Sequence, residues 1–299
     1  MIVKTEVPAT SANLGSGFDS LGLALTLYNR VEMREHDRLE VISGDGKPVP
    51  QDESNLVYYA ASLLYKECGR SLQGLSMKEE SPIPMARGLG SSSACIVAGL
   101  MGANKLLKSP LNRGDLVNLA AKIEGHPDNV APAILGGLVT SVMENGKVYS
   151  VSVPVSRAIK FCAFVPDFEL KTDHARSILP QKISLDDGVY NLSRSALMTA
   201  SLFSGSLDNL RVAVQDKLHQ QHRLPLIQNG AEVFDVAYKE GAYGVYISGS
   251  GPAIMAIISA NDFDFEQRCL SMLTRKSIFA YSPVILNSDS MGADCQVIQ

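Results

Sequence analysis

The sequence predicts an α+β protein whose chain divides into two parts of similar length. Alternating apolar and polar residues near the start indicate strands, and apolar residues at helical spacing indicate helices, as in residues 55–67. Strands come before helices, an order compatible with an α+β fold. The chain has 299 residues, enough for two medium domains, which we place at residues 1–155 and 156–299. These observations predict the class but not the topology.

Composition excludes several classes of function. The net charge is −4 and no basic stripe is visible, so nucleic acid is not an expected partner. No apolar run approaches the ~18 residues of a membrane span, and the first residues lack a secretory pattern. The cysteines are scattered without metal-binding spacing, so we expect most of them to be buried thiols in a reducing cytoplasm; they are Cys68, Cys95, Cys162, Cys269 and Cys295.

The first half of the chain is predicted to hold several strands and two glycine-rich loops. Residues 3–7 alternate and predict a strand, and many small residues over 8–25 predict a loop that approaches something closely. We next expect two strands at residues 28–42, a helix at 55–67 that ends before Gly69, and a further strand at 72–79. In the first loop only Asn13 and Asp19 have strong hydrogen-bonding or ionic capacity. Both are equally explained as turn formers that bond their own backbone.

The stretch from 83 to 94 predicts a loop that opens into a buried helix. Gly88 and Gly90 allow a close approach of the backbone, and serines follow at the predicted helix start. Unpaired N–H groups and the helix dipole at such a start can bind phosphate. An ordinary Gly-Ser turn that caps a helix explains the pattern equally well. The common P-loop is excluded because no lysine follows Gly90.

Another helix is expected to begin at Asn112, with Asp115 placed for a capping box, and to end at Glu124. A carboxylate at a helix C-terminus faces the negative end of the dipole, an unfavourable placement that is easier to explain if a cation lies beside it. A solvated glutamate is the alternative. The following His126, Asp128 and Asn129 place polar groups at the start of a further short helix.

The second half is predicted to contain strands, helices and one glycine turn. Arg176 and Arg223 are expected to be surface arginines unless a carboxylate ligand is present, which a guanidinium binds through two parallel hydrogen bonds. The expected elements are a strand pair at residues 138–153, a buried strand at 161–165, two helices at 187–202 and 207–215, a strand–glycine turn–strand unit at 244–258, and a final helix and strand within 265–299.

Three motifs resemble those of the GHMP kinases. Pro84 followed by Gly88-Leu89-Gly90-Ser91-Ser92 resembles the second motif, and the turn around Gly249 resembles the third. The first loop is similar to the first motif of the homoserine kinase family, with Ser16 where that family usually has proline. The segment from Glu124 to Ala133 also resembles that family.

The resemblance implies a fold and an activity. The fold would be a ribosomal S5 domain 2-like N-terminal domain followed by a ferredoxin-like C-terminal domain. The activity would be ATP-dependent and Mg²⁺-dependent phosphorylation of the L-homoserine hydroxyl to O-phospho-L-homoserine, on the route to threonine. A homodimer is left open.

The same resemblance implies roles for individual residues. ATP would be bound by Pro84, Met85, Ala86, Arg87, Gly88, Leu89, Gly90, Ser91, Ser92, Ser93 and Ala94. Mg²⁺ would be bound by Ser92, or Ser91, and by Glu124. Homoserine would be bound by Asn13, Asp19, His126, Asn129, Arg176, Arg223 and Gly249, with the two arginines on its carboxylate. The catalytic groups would be His126, Asp128 and Asn129.

The expected chemistry differs from that of related kinases in the general base that accepts the hydroxyl proton. The position that carries a catalytic aspartate in mevalonate kinase and galactokinase aligns with Asn129, which accepts no proton at neutral pH. We therefore expect either no side-chain base or proton loss to the phosphate itself. Three alternatives remain: a mevalonate-type or shikimate-type kinase, a catalytically inactive regulator of the same fold, and a non-nucleotide binding module.

Overall fold

The structure is a computed structural model that describes residues 1–299, and its strands form two sheets. Seven strands form the first sheet: β1 (Val3–Ala12), β2 (Leu21–His36), β3 (Glu40–Ser43), β4 (Gly74–Glu80), β5 (Leu138–Glu144), β6 (Lys147–Val153) and β11 (Asp294–Val297). Four strands form the second: β7 (Ile159–Pro166), β8 (Gly244–Ile247), β9 (Ile254–Ser259) and β10 (Tyr281–Leu286).

The helices cover the sheets and fill the connections between strands. In chain order they are α1 (Leu56–Glu67), α2 (Ser91–Leu106), α3 (Arg113–Glu124), α4 (Val130–Leu135), α5 (Thr172–Ser177), α6 (Leu185–Ser204), α7 (Leu210–Ala213), α8 (Gln220–Arg223), α9 (Gly230–Lys239) and α10 (Phe265–Arg275). None of them combines the length and the apolar character that crossing a membrane requires.

Helix α2 is the central helix of the first half. It packs against β1, β2, β11 and α1, and most of its residues are buried. Small residues make this possible, since a Cβ on Gly99 would lie 2.2 Å from the carbonyl oxygen of Val57 on α1. The sequence therefore buries α2 through close backbone contact rather than through one apolar stripe.

The second sheet has the strand order β10-β7-β9-β8, and every pair is antiparallel. Numbered within this sheet the order is 4-1-3-2, and helices connect the first strand to the second and the third to the fourth. This is the ferredoxin-like arrangement. The predicted α+β class is confirmed.

The last strand belongs to the first sheet. Strand β11 pairs with β1 in antiparallel register, with Val3 opposite Val297 and Glu6 opposite Asp294. The chain therefore returns to its N-terminal sheet after completing the second one. The chain first leaves that sheet near residue 155, and the domain boundary placed there stays a prediction.

The first loop is shorter than the sequence predicts. Residues 8–12 continue β1 and residues 21–25 already belong to β2, so the expected loop over 8–25 is wrong at both ends. The pairing register shifts between Pro8 and Ala9, where proline lacks an N–H for the ladder. Only the turn from 13 to 20 projects from the sheet. The two strands expected over 28–42 are the end of β2 and the short β3.

Candidate active site

The candidate site is a cleft where loops from both sheets meet above the start of α2. The N–H of Gly249 donates to the carbonyl of Ala12 over 3.1 Å. The hydroxyl of Ser248 donates to the carbonyl of Gly88 over 2.6 Å. These bonds hold the turn after β8, the end of β1 and the loop before α2 together, so the cleft is built from segments distant in sequence.

The start of α2 forms one end of the cleft and is an anion-binding surface. Gly90 is the N-cap residue with φ +71° and no side-chain cap. The first bond of the helix runs from the N–H of Ala94 to Gly90, and the three serine N–H groups before Ala94 have no protein acceptor. Free N–H groups at a helix start favour phosphate.

Glycine is required in this loop for space as well as for conformation. A Cβ on Gly90 would lie 2.0 Å from the hydroxyl of Thr10, and one on Gly88 would lie 2.2 Å from the carbonyl of Ser248. Both residues have positive φ, which other residues adopt only with strain. The loop can therefore lie close against both sheets.

The other predicted ATP-binding residues are divided between the cleft, its wall and the core. Arg87 is held by the carbonyls of Met85, Pro166 and Asp167 and by the carboxylate of Glu169, so it fixes the loop to the end of β7. The side chains of Leu89 and Ala94 are buried in the core and do not line the cleft. Pro84 and Met85 face a neighbouring cavity instead.

Glu124 reaches the start of α2 from the end of α3. The hydroxyl of Ser93 donates to its Oε1 over 2.8 Å, and that of Ser92 donates to its Oε2 over 3.3 Å. The predicted helix start is confirmed, since Asn112 and Asp115 form the capping box that positions α3. A carboxylate joined to hydroxyls beside free N–H groups matches the oxygen ligands of Mg²⁺ and the phosphates with which it binds.

The segment after α3 brings a histidine–aspartate pair to the cleft. Asp128 is only 2% exposed, and its Oδ1 lies 2.5 Å from Nδ1 of His126. Burial lowers the pKa of His126, but the hydrogen bond and the charge of Asp128 outweigh burial and raise it. Asn129 accepts a hydrogen bond from Thr10 over 2.8 Å, which leaves its amide nitrogen as a donor.

Asn13 and Asp19 anchor the turn of residues 13–20 above the cleft. The side-chain amide of Asn13 donates to the carbonyl of Gly249 over 2.9 Å and accepts from the N–H of Asp19 over 2.9 Å. Asp19 in turn accepts two hydrogen bonds from Arg176, at 2.8 and 2.9 Å. The turn-former explanation therefore holds for Asn13, yet both residues also line the cleft.

The two predicted arginines lie close together, and of the two only Arg223 is buried. Arg223 is 2% exposed, and burial together with the positive charge of Arg176 lowers its pKa to about 10. The hydrogen bonds of Asp19 raise the pKa of Arg176. The ring of Phe18 lies 5.6 Å from the guanidinium of Arg176 and 5.4 Å from that of Arg223. The cleft thus ends in two cations and one carboxylate.

A second, more apolar cavity adjoins the cleft and shares Arg87 and Ser91 with it. Its walls come from residues 47–50, 83–85 and 165–166, with Asn55, Glu79 and Cys95. The sequence predicts no role for residues 47–50, and only their prolines hint at an apolar surface. Thr172 and Ser250, whose hydroxyls lie 3.2 Å apart at the cleft, were also not predicted.

Most predicted site residues thus meet in one cleft. Those that line it are Asn13, Asp19, Ala86, Arg87, Gly88, Gly90, Ser91, Ser92, Ser93, Glu124, His126, Asp128, Asn129, Arg176, Arg223 and Gly249. An anion site lies at one end, and charges of both signs lie at the other. The arrangement can hold a polyphosphate next to a small zwitterion.

Comparisons with known proteins give one consistent result. Residues 55–137 match the GHMP kinases N terminal domain and residues 198–271 match the GHMP kinases C terminal domain. A homoserine kinase of Clostridium beijerinckii is 43% identical over 98% of both chains. One of Caldicellulosiruptor saccharolyticus is 42% identical over 100% of this chain and 98% of its own. The crystal structure of homoserine kinase from Cytophaga hutchinsonii superposes with a TM-score of 0.88, at 29% identity, over 99% of this chain and 97% of that one.

Proposed function

The chain belongs to the homoserine kinase family of the GHMP kinases, and on that premise we propose that it phosphorylates L-homoserine. The γ-phosphoryl group of ATP would pass to the side-chain hydroxyl, giving O-phospho-L-homoserine and ADP on the route to threonine. The observation that carries the proposal is the cleft itself. Its one end suits phosphate, and its other end pairs a carboxylate with two guanidiniums, the complement of an amino acid zwitterion.

The nucleotide is assigned to the start of α2 and the apolar cavity beside it. The three serine N–H groups and Gly90 would bind the triphosphate. The cavity lined by Val49, Pro84 and Met85 is continuous with that surface through Ser91, and its apolar walls suit the flat face of a purine. Phosphoryl transfer needs mainly positioning and charge neutralisation, which the N–H groups of this loop would supply.

Mg²⁺ is assigned to Glu124 with a serine hydroxyl from α2. Ser92 remains a candidate ligand, and Ser93 is added because its hydroxyl is the nearer to the carboxylate, at 2.8 Å against 3.3 Å. The ion, when bound, supplies positive charge to the phosphate oxygens. Glu124 holds both hydroxyls in place beside the free N–H groups.

The substrate is assigned to the charged end of the cleft. Homoserine carries an ammonium and a carboxylate on one carbon. Asp19 and Arg176 carry the opposite charges, and they lie within hydrogen-bond distance of each other. Binding would exchange the Asp19–Arg176 pair for two pairs with the substrate, its ammonium on Asp19 and its carboxylate on Arg176 and Arg223. A carboxylate without an ammonium would leave Asp19 unpaired.

No side chain is assigned as general base. The amide nitrogen of Asn129 is a donor and lies 3.4 Å from Oδ1 of Asp128, and the carboxylate of Asp128 is bonded to His126. The hydroxyl proton would pass to the transferred phosphoryl group. If Asp128→Asn abolished turnover while homoserine affinity stayed intact, this assignment would be wrong.

One assay separates this function from its rivals. Coupled ADP release is measured with Mg-ATP and L-homoserine, mevalonate, shikimate or L-serine, beside Glu124→Gln. We expect release with homoserine alone, and much slower release in the variant when Mg²⁺ is limiting. Activity on mevalonate or shikimate would overturn the substrate assignment and keep the phosphate loop. Binding of Mg-ATP without release would favour an inactive regulator, and no binding of Mg-ATP a non-nucleotide module.

A further inference from the structure

A buried histidine lies directly behind the arginine that faces the cleft. His219 is 0% exposed and precedes α8, whose last residue is Arg223. Its Nδ1 lies 3.1 Å from Nη1 of Arg223, and its Nε2 lies 2.8 Å from the carbonyl oxygen of Gly15. The imidazole therefore joins the arginine to the turn that carries Asp19.

The hydrogen-bond partners determine which nitrogen of His219 is protonated. The carbonyl of Gly15 can only accept, so Nε2 must carry a hydrogen. The guanidinium of Arg223 can only donate, so Nδ1 must present its lone pair. A protonated ring would place an N–H against an N–H and a second cation 3.1 Å from the first. Only the neutral tautomer with hydrogen on Nε2 satisfies both neighbours.

The charged groups around the ring agree with this state. Burial lowers the pKa of His219, and Arg223 lowers it further, while the carboxylate of Asp216 acts in the opposite direction. Asp216 lies 3.8 Å from Nε2, but its oxygens accept from the backbone N–H groups of residues 218, 219 and 220 and from the amide of Asn191. The aspartate fixes the backbone of His219 rather than its ring.

The contacts of Arg223 show what the histidine does for it. Nε donates to the carbonyl of Ala175, and Nη1 donates to that of Gly249 and to Nδ1 of His219. Nη2 has no protein partner, and Arg223 lines the cleft. Because the protein holds Nε and Nη1, the guanidinium plane is fixed and Nη2 is the nitrogen left free for a substrate carboxylate.

We propose that His219 is a positioning residue that holds Arg223, through Nδ1, in the orientation that binds the carboxylate of the substrate. Its stacking on Phe18, with ring centroids 5.2 Å apart, and its bond to Gly15 tie that orientation to the turn that carries Asp19. The two ends of the charged site thereby form one unit. This inference rests on the proposed function, because it assumes a substrate carboxylate at Arg223.

Two substitutions separate the two bonds of the ring. In His219→Asn the side-chain oxygen falls near the position of Nδ1, so the acceptor for Arg223 is kept and the bond to Gly15 is lost. In His219→Gln the amide reaches the position of Nε2, so the donor to Gly15 is kept and the acceptor for Arg223 is lost. His222→Gln is the matched control, because His222 lies on α8 and its ring contacts the side chain of Gln221.

The measurement is KM for L-homoserine, KM for ATP and kcat for each variant, with thermal unfolding as the control for folding. We expect His219→Gln to raise KM for homoserine roughly 10-fold, the usual effect of leaving a buried donor without its acceptor, with KM for ATP within about 2-fold. KM for homoserine in His219→Asn is expected to stay within about 3-fold of the wild-type value. His222→Gln is expected to match wild type. The positioning role would be overturned if His219→Asn and His219→Gln raised KM for homoserine equally. It would also be overturned if KM for homoserine and KM for ATP rose in parallel in His219→Gln.

A second measurement does not depend on the variants folding. In the ¹⁵N-labelled wild-type protein at pH 7 we expect the buried histidine, recognised by a ring N–H that exchanges slowly with water, to carry hydrogen on Nε2 and an unprotonated Nδ1. A protonated Nδ1 at the buried histidine would overturn the inference. A wild-type protein that does not phosphorylate homoserine would instead overturn the proposed function, and this inference with it.

Discussion

Replacing Asp19 by asparagine removes one charge from the cleft without changing the shape of the side chain. Asp19 and Arg176 are 33% and 42% exposed, so their pair contributes about 0.2–1 kcal/mol to the free energy of unfolding. We therefore expect Asp19→Asn to lower the melting temperature by no more than about 4 °C. Its effect on substrate binding should be larger, because a charged hydrogen bond to the ammonium contributes about 1.5–3 kcal/mol. That range corresponds to a loss of roughly 10- to 150-fold in kcat/KM for homoserine.

The assay that isolates this charge compares two substrates. 4-Hydroxybutyrate is homoserine without its ammonium, so the loss in Asp19→Asn should be confined to homoserine and stay below about 3-fold for the analogue. Asp262→Asn, which breaks a similar aspartate–arginine pair with Arg268 outside the cleft, is the matched control and should leave both values unchanged. Equal losses on both substrates would refute the assignment of Asp19 to the ammonium.

Three further predictions concern the phosphate loop, the metal and pH. Gly90→Ala should raise KM for ATP more than roughly 10-fold and lower the melting temperature, because the new Cβ would lie 2.0 Å from a hydroxyl. Gly46→Ala should leave KM for ATP unchanged, because there is open space around Gly46. Equal KM values for ATP in the two variants would contradict this prediction. Glu124→Gln should raise the Mg²⁺ concentration for half-maximal rate roughly 10-fold, measured by Mg²⁺ titration at fixed ATP, and an unchanged midpoint would remove Glu124 from the metal site. The pKa of His126 is raised by Asp128, so the pair stabilises the fold below the unfolded pKa of about 6.5 and loses that effect as pH rises through the folded pKa. Urea unfolding should accordingly show the stability gap between wild type and Asp128→Asn shrinking from pH 6 to pH 9, and a gap that widens would contradict the sign.

Local features could be predicted from the sequence because their causes are local. The glycines before α2, the Asn112–Asp115 capping box and the hairpin of β5 and β6 follow from conformational preference and short-range hydrogen bonds. The same patterns placed Asn13 and Asp19 in a loop and Glu124 at the end of a helix. They did not show that Pro8 continues β1, because the register shift that accommodates it depends on pairing with β2.

Features formed by distant segments could not be predicted. The pairing of β11 with β1 joins the two ends of the chain, and alternation of residues does not specify a partner strand. The apolar cavity is formed by residues 47–50, 83–85 and 165–166, none of which is distinctive alone. The sequence also gave no sign that Arg223 is buried against His219, since both would suit an exposed helix.

The most direct test of the central claim is the identity of the phosphorylated product. The protein is incubated with Mg-ATP and L-homoserine, and the product is examined by ³¹P NMR with proton coupling. We predict a phosphomonoester signal split by the two protons of the terminal methylene, which places the phosphate on the side-chain oxygen. Release of inorganic phosphate alone, or a phosphate on nitrogen or the carboxylate, would contradict the account.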